Sequence, residues 1–323
     1  MAGALLSNLS KKYKKQLAPV LDAYMKVSGI LRTAPFEPAS LINKHEVKVS
    51  DGVKGSTVVA ADGTIIPSNS SGTIETFSLK SFQNVQEETK GTVDRYPGSK
   101  ELCFKNAAME YIEGIAQDVA TQVIYGTNST FGNANGFEGL RESAEDNGNV
   151  IEKGGDVSTG AGDSTSIIAV KWKPRVAGML LNPQVMSGGN IVSREWINNG
   201  NLIPITTNTS TNAQKNVYQM LYESFIGFYA ASTKAVAAIT QIDGSNKATA
   251  SDMDNLLDLV RADSNTIVYA NRRGMRYLKE LKNSKLEMMP ADNNYDTRLT
   301  LWEGVRVQLE ENIVDNEDDS LEA

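Results

Sequence analysis

From Lys44 to Tyr96 the chain carries the marks of β-structure without the means to bury it. Val47 and Val49 alternate with Lys48 and Ser50, the period-two pattern of a strand. Val58-Val59-Ala60-Ala61, then Asp62-Gly63, then Thr64-Ile65-Ile66 predict a hairpin, because Asp-Gly accepts the positive φ of a tight type I′ turn. Ile74, Phe77 and Leu79 predict a further short strand among Thr and Ser. The stretch holds too few large apolar residues to close a core of its own. In an isolated monomer a long polar β-arm is a liability, since unpaired strand edges invite pairing with another chain. In an assembly it is a clasp. The sequence thus asks for something outside the arm on which it lies.

The next segment supplies a rigid partner. Ser99 is placed to cap a helix, with Glu101 and Leu102 just inside. Ala108, Ile112, Ile115, Val119 and Val123 follow at spacings of four, three, four and four, one continuous apolar stripe. Phe104 and Tyr111 flank it, and Gly126 provides the stop. At about 1.5 Å per residue the helix over 99–125 is roughly 40 Å long. Cys103 near its start reads as a small packing residue.

Around these two features the pattern is mixed. Leu5, Leu9, Tyr13 and Leu17 recur at four-residue spacing beside lysines, Pro19 permits a helix start near Val20, and Pro35 and Pro38 fix an extended stretch. Residues 126–165 read as a Gly, Asn and Ser-rich linker. Apolar runs stand at Ile167–Val170 and Met179–Leu181, interrupted by an Asn and Thr-rich loop over 198–214. A helix over 251–262 capped by Ser251, a strand from Thr266 to Ala270, a basic helix from Arg272 to Lys282 and a last strand from Gly304 to Leu309 complete an α+β pattern without internal repeats.

Composition removes much of enzymology. The single cysteine excludes an intrachain disulfide framework and every Cys-rich zinc site. The single histidine, His45, excludes sites built on two imidazoles, and it reads as an exposed side chain. The net charge of −7 disfavours a whole-surface grip on nucleic acid. No stretch is apolar for long enough to predict a membrane span, and no signal peptide is visible, so a reduced intracellular protein is expected. Charge is uneven. Residues 1–35 carry Lys11, Lys12, Lys14, Lys15, Lys26 and Arg32 against Asp22 alone, whereas 310–323 hold seven acids and no base. These ends read as solvated tails or as elements reaching other copies.

The chemical motifs fail one by one. The glycines of 126–139 are not followed by Gly-Lys-Ser/Thr, so no phosphate loop forms. Asp292, Asn294, Asp296 and Glu303 approach calcium-loop spacing, but Thr297 stands where the turn needs glycine. Glu87-Glu88 and Glu142/Glu145/Asp146 lie in polar stretches and read as surface charge. Trp172, Trp196 and Trp302 form no stacking platform. No catalytic, cofactor-binding or metal residue is assigned, and no enzyme is expected.

The layout resembles a family. An arm, a long β-hairpin loop, a long helix ending in Ile124-Tyr125-Gly126, and then Gly136-Phe137-Glu138-Gly139-Leu140 are similar to the major capsid proteins of tailed bacteriophages, with the Hong Kong 97-type fold. Gly227-Phe228-Tyr229 through Ala237–Asp243, Thr266–Arg273 and Trp302-Glu303-Gly304-Val305-Arg306-Val307 continue the likeness, which covers about residues 40 to 310. It implies an N-terminal arm over 1–40, an extended hairpin loop over 41–97, and a peripheral domain with a spine helix over 98–165. A mainly axial domain with returning peripheral strands would span 166–270, and a final helix and strand with the acidic tail 271–323. It implies a virion protein assembled in the host cytoplasm as a homo-oligomer of hexamers and pentamers, closing an icosahedral shell around double-stranded DNA held by weak non-specific contact. A portal, and possible separate scaffold or decoration proteins, would be its partners. Subunit contacts are expected at Lys11, Lys14, Lys15, Lys54, Glu87, Glu88 and Arg95. The alternatives are an encapsulin-like cellular shell and, from a different class, a carbohydrate-binding tail adhesin.

Overall fold

Two kinds of strand build the protein, and their side-chain alternation decides where the core sits. The computed structural model describes residues 4–5, 18–50, 72–128, 130–154, 164–186, 191–208, 213–281, 286–289 and 299–317. In chain order these hold β1 (Ala4–Leu5), α1 (Ala18–Val27), α2 (Gly29–Thr33), β2 (Pro35–Pro38), β3 (Lys44–Ser50), β4 (Gly72–Ser78) and β5 (Lys80–Thr89). Next come α3 (Lys90–Arg95), α4 (Lys100–Tyr125), α5 (Leu140–Asp146), β6 (Val150–Glu152), β7 (Thr165–Lys171), β8 (Ala177–Leu181) and β9 (Ser193–Trp196). Then follow β10 (Ile203–Asn208), β11 (Ala213–Ala230), β12 (Val236–Ile242), α6 (Ala250–Leu259), β13 (Thr266–Ala270), α7 (Arg272–Glu280), β14 (Leu286–Met289), β15 (Leu299–Trp302) and β16 (Val305–Leu309).

One sheet runs β14-β15-β16-β13-β7-β12-β6. Its central strands are covered on both faces, so they read as unbroken apolar runs. Ile168, Val170, Val236 and Ala238 point into the principal core, while Ile167, Ala169, Ala237 and Ile239 point into a second core beneath α6 and α7. The other large sheet is organised by the 18-residue β11, which pairs with β5, β8, β9 and β10 along its length. Alternation again divides it. Tyr222, Ser224 and Ile226 are buried towards α4, and Tyr111 of α4 stacks on Tyr222 at 5.7 Å.

The helix predicted over 99–125 forms as α4, capped by Ser99, whose hydroxyl accepts from the Leu102 N–H. All five stripe residues are buried. Gly126 ends the helix with φ +61°. The strand Thr266–Ala270 and the stretch Pro35–Pro38 also stand where the sequence places them.

Other expectations are corrected. Thr249 caps α6, not Ser251, because Thr249 and Asp252 exchange the reciprocal bonds of a capping box. The linker reading of 126–165 missed α5 and the parallel strand β6. The segment 44–96 contains a helix, α3, and β5 is no free arm: it pairs with β11 over ten residues from Lys80 to Thr89. Of the arm expected over 1–40, residues from Ala23 to Phe36 lie in the principal core, with Tyr24, Ile30 and Leu31 fully buried. The predicted hairpin over 58–66 and the calcium-like residues Asp292, Asn294 and Asp296 lie outside the described residues.

The acidic stretch after residue 309 is not simply a solvated tail. Glu310 is fully buried and accepts from the Ser28 hydroxyl at 2.7 Å and the Ile30 N–H at 2.8 Å, capping α2 from 280 residues away. Glu317 is equally enclosed. It lies 3.5 Å from Arg141, and it accepts from the Tyr125 hydroxyl at 2.8 Å and from the Ser166 hydroxyl. Two buried carboxylates therefore pin 310–317 across both chain halves.

Candidate assembly surface

β3 and β4 pair from Lys44↔Ser78 to Ser50↔Gly72. One face of this ladder packs inward through Val47 and Phe77 against Tyr229. His45 sits on this side, with its ring 5.2 Å from Tyr229 and Nδ1 3.0 Å from the Ser40 hydroxyl oxygen. It is half-buried, which corrects the reading of it as an exposed side chain, and burial lowers its pKa. The opposite face carries Lys44, Glu46, Lys48 and, across from Lys48, Ile74, which is 64% exposed.

The sheet around β11 presents a second surface. The face turned away from α4 brings Ser81, Gln83, Val85 and Glu87 of β5 beside Phe225, Glu223, Leu221 and Gln219 of β11. Glu195 of β9 flanks Leu221. Val85 is 41% exposed at the centre. Glu223 accepts from Ser81 and Gln83 at 2.5 and 2.6 Å. The result is an apolar centre with an acidic, hydrogen-bonded rim.

The expected contact residues fall differently. Glu87 joins this rim, held by Lys215 at 2.5 Å and Gln219 at 3.1 Å. The hydrogen bond from Lys215 is the main reason that its carboxyl titrates below the usual range. Glu88 belongs to the other face, near Cys103, because successive strand residues alternate. The sequence pair Glu87-Glu88 is therefore no carboxylate pair in space. Arg95 is exposed in the last turn of α3. Lys11, Lys14, Lys15 and Lys54 lie outside the described residues. Reasoning from sequence missed Val85, Leu221 and Lys215; the alternation through β5 and β11 was the available signal.

The glycine-rich segment after α4 is a scaffold for the end of that helix. Gln122 donates to the Gly126 and Phe137 carbonyls at 2.6 and 2.8 Å. Glu142 accepts from the N–H groups of Thr127 and Gly139, so it is a structural acceptor and not the surface charge expected. The segment walls a cleft of about 450 Å³ that also receives Lys80, Gln83 and Asp118. A Cβ on Gly126 would stand 1.9 Å from Glu142 Oε2 and 2.3 Å from the Gly139 nitrogen, in a backbone conformation suited to glycine. Gly126→Ala is therefore expected to lower stability by about 2 kcal/mol or more, read as a fall in the urea midpoint at unchanged slope. Among the described residues no cluster of His, Cys, Asp and Glu is arranged to hold a metal.

The sequence profile of the family described as major capsid protein GP7 matches residues 12–320. The chain belongs to that family. This capsid protein plays a structural role in a capsid, as the resemblance implied. Among solved structures it is similar to a protein of bacteriophage Epsilon15, at 15% identity and TM-score 0.55, over 94% of this chain and 97% of that one. That likeness establishes the fold. A capsid structure of bacteriophage JBD30 aligns at 8% identity and TM-score 0.48, over 88% of this chain and 90% of the other. The SrpI encapsulin complex of Synechococcus elongatus PCC 7942 aligns at 12% identity and TM-score 0.44, over 73% and 92%. No curated protein matches the capsid subunit.

Proposed function

We propose that the subunit closes an icosahedral shell of pentamers and hexamers around double-stranded phage DNA, by laying the outer face of its β3–β4 hairpin on the β5–β9–β11 face of a neighbouring copy. The observation that carries this reading is complementarity within one chain. Ile74 stands across from Lys48 on one surface, and Val85 lies among carboxylates on the other. Interfaces of this kind combine an apolar anchor with a polar rim, and opposite charge sets register more than affinity. The basic residues Lys11, Lys14, Lys15 and Lys54 would add contacts to neighbouring acidic surfaces, with Glu87, Glu88 and Arg95 near the joint. The protein is given no catalytic role. It would reside in the virion after assembly in the host cytoplasm, joined by a portal and, where used, a separate scaffold or decoration protein.

Ile74→Asp tests the reading, since a residue this exposed contributes little to the monomer. The variant is expected to melt like wild type yet to yield dimers or free capsomers where wild type yields closed particles, seen by light scattering and negative-stain microscopy. Normal particles from Ile74→Asp would refute the hairpin contact. Wild-type protein that stays monomeric at every concentration and salt, with any scaffold present, would refute shell formation itself.

A further inference from the structure

Three turns lie side by side at one end of the β7–β12–β13 sheet. Lys171 closes β7, with its N–H bonded to the Ala235 carbonyl at the start of β12 and its Nζ bonded to the Arg261 carbonyl at 2.8 Å. The Trp172 N–H reaches the Asn265 carbonyl just before β13. The turns bring together Lys173 and Arg175, Lys234, and Arg261. Lys173, Arg175 and Arg261 are exposed and Lys234 is half-buried. Two acids lie here: Asp263, bound by Lys171 at 3.0 Å and also within the field of Lys173, and the exposed Asp258. Among the described residues none of the four cations forms an ion pair.

The backbone singles out two of the four. Arg175 has φ +65° and Arg261 has φ +47°, in the left-handed region that costs any residue with a Cβ. Arg261 follows the C-cap Val260 of α6. Its N–H bonds the Asp258 carbonyl, and the Ala262 N–H bonds the Leu257 carbonyl, the paired bonds of a Schellman motif. That position ordinarily belongs to glycine. An arginine there is a local choice against the backbone, and such exceptions gather at working surfaces.

The basic helix α7 provides the contrast. Its Arg272 is bonded to Glu311, and Arg273 lies 3.7 Å from Asp315. Two of its cations are thus paired within the subunit, whereas among the described residues none of the four at the turns stands within ion-pair distance of a carboxylate. Nor is the corner built for protein docking, since none of the exposed large apolar residues, Leu41, Ile42, Ile74, Val85 and Leu102, lies in it. Separated point cations without an apolar centre suit a phosphate backbone.

We propose that Lys173, Arg175, Lys234 and Arg261 form the surface by which the subunit touches the phosphates of duplex DNA, without regard to base sequence. This rests on the reading of the protein as a DNA-enclosing shell and assigns that contact to the β7–β12–β13 corner instead of the N-terminal lysines. About four phosphate contacts predict an affinity that falls on the order of 100-fold between about 50 and 200 mM salt.

The test is fluorescence anisotropy of a labelled random-sequence duplex against full-length wild type and the variant Lys173→Gln/Arg175→Gly/Lys234→Gln/Arg261→Gly. Glycine relieves the backbone at both arginines, so the variant is expected to melt at or above the wild-type temperature while losing most of the affinity and most of the salt dependence. Closed particles counted by microscopy follow assembly separately. Particles that form normally from the variant, with DNA affinity lost, support the proposal. An unchanged salt slope overturns it and leaves the shell reading intact. Loss of binding on deleting residues 1–17, with the corner variant still binding, overturns it in favour of the arm. A wild-type protein that ignores duplex DNA but captures a peptide of residues 310–323 through the corner overturns it in favour of a protein contact.

Discussion

Glu317→Ala is expected to cost the subunit about 3–5 kcal/mol, the range for breaking a buried ion pair from one side. The change takes from Arg141, 3% exposed, a carboxylate at 3.5 Å, and it takes the acceptor from the Tyr125 and Ser166 hydroxyls. Glu317→Gln keeps the shape and one acceptor oxygen, so it should lose less. Urea unfolding followed by tryptophan fluorescence reads both. A Glu317→Ala midpoint within error of wild type would show that the segment 310–317 is dispensable to the fold. The corresponding change at Glu310 removes the acceptor of the Ser28 hydroxyl and one of the two acceptors of the Ile30 N–H, leaving Ser28 itself as the cap of α2, and the two losses should add because the carboxylates share no partner.

Ile115→Asp should have the larger effect. Ile115 is 1% exposed, in the middle of the α4 stripe. A carboxylate there has no partner and must ionise in apolar surroundings or remain protonated, at a cost of several kcal/mol beyond the lost packing. The expected outcome is insoluble or unfolded protein, not folded subunits that fail to assemble. Soluble protein with a normal near-ultraviolet spectrum would show that the stripe is not the anchor of the principal core.

These two residues mark what sequence periodicity conveys and what it does not. Ile115 was legible because a 26-residue helix repeats its apolar face many times. Glu317 was invisible: seven acids without a base look like solvent, and only the tertiary meeting of Tyr125, Arg141 and Ser166 turns one of them inward. The thinness of 44–96 in large apolar residues was real, but its meaning was only partly readable. β5 borrows its burial from β11, a strand more than a hundred residues later, and no local pattern announces such a loan. The assembly surface suffered most. Alternation places Val85 and Glu87 on one face, yet which face stays open depends on where α4 lies. Glu88 was chosen beside Glu87 for its charge, and the pleat sends it the other way.

The meeting of the two ends of the described chain also sets an order in time. Ser28 is bonded to Glu310, the Val27 carbonyl is bonded to Asn312, and Tyr125 waits for Glu317. A nascent chain still on the ribosome can form α4 and pair β5 with β11, but it cannot finish its central core until residue 317 has cleared the exit tunnel. Partial translation products would thus lack the closed subunit whose surfaces a growing particle recognises. A truncated copy is expected to be left out of the lattice by its failure to close, with no separate inspection step.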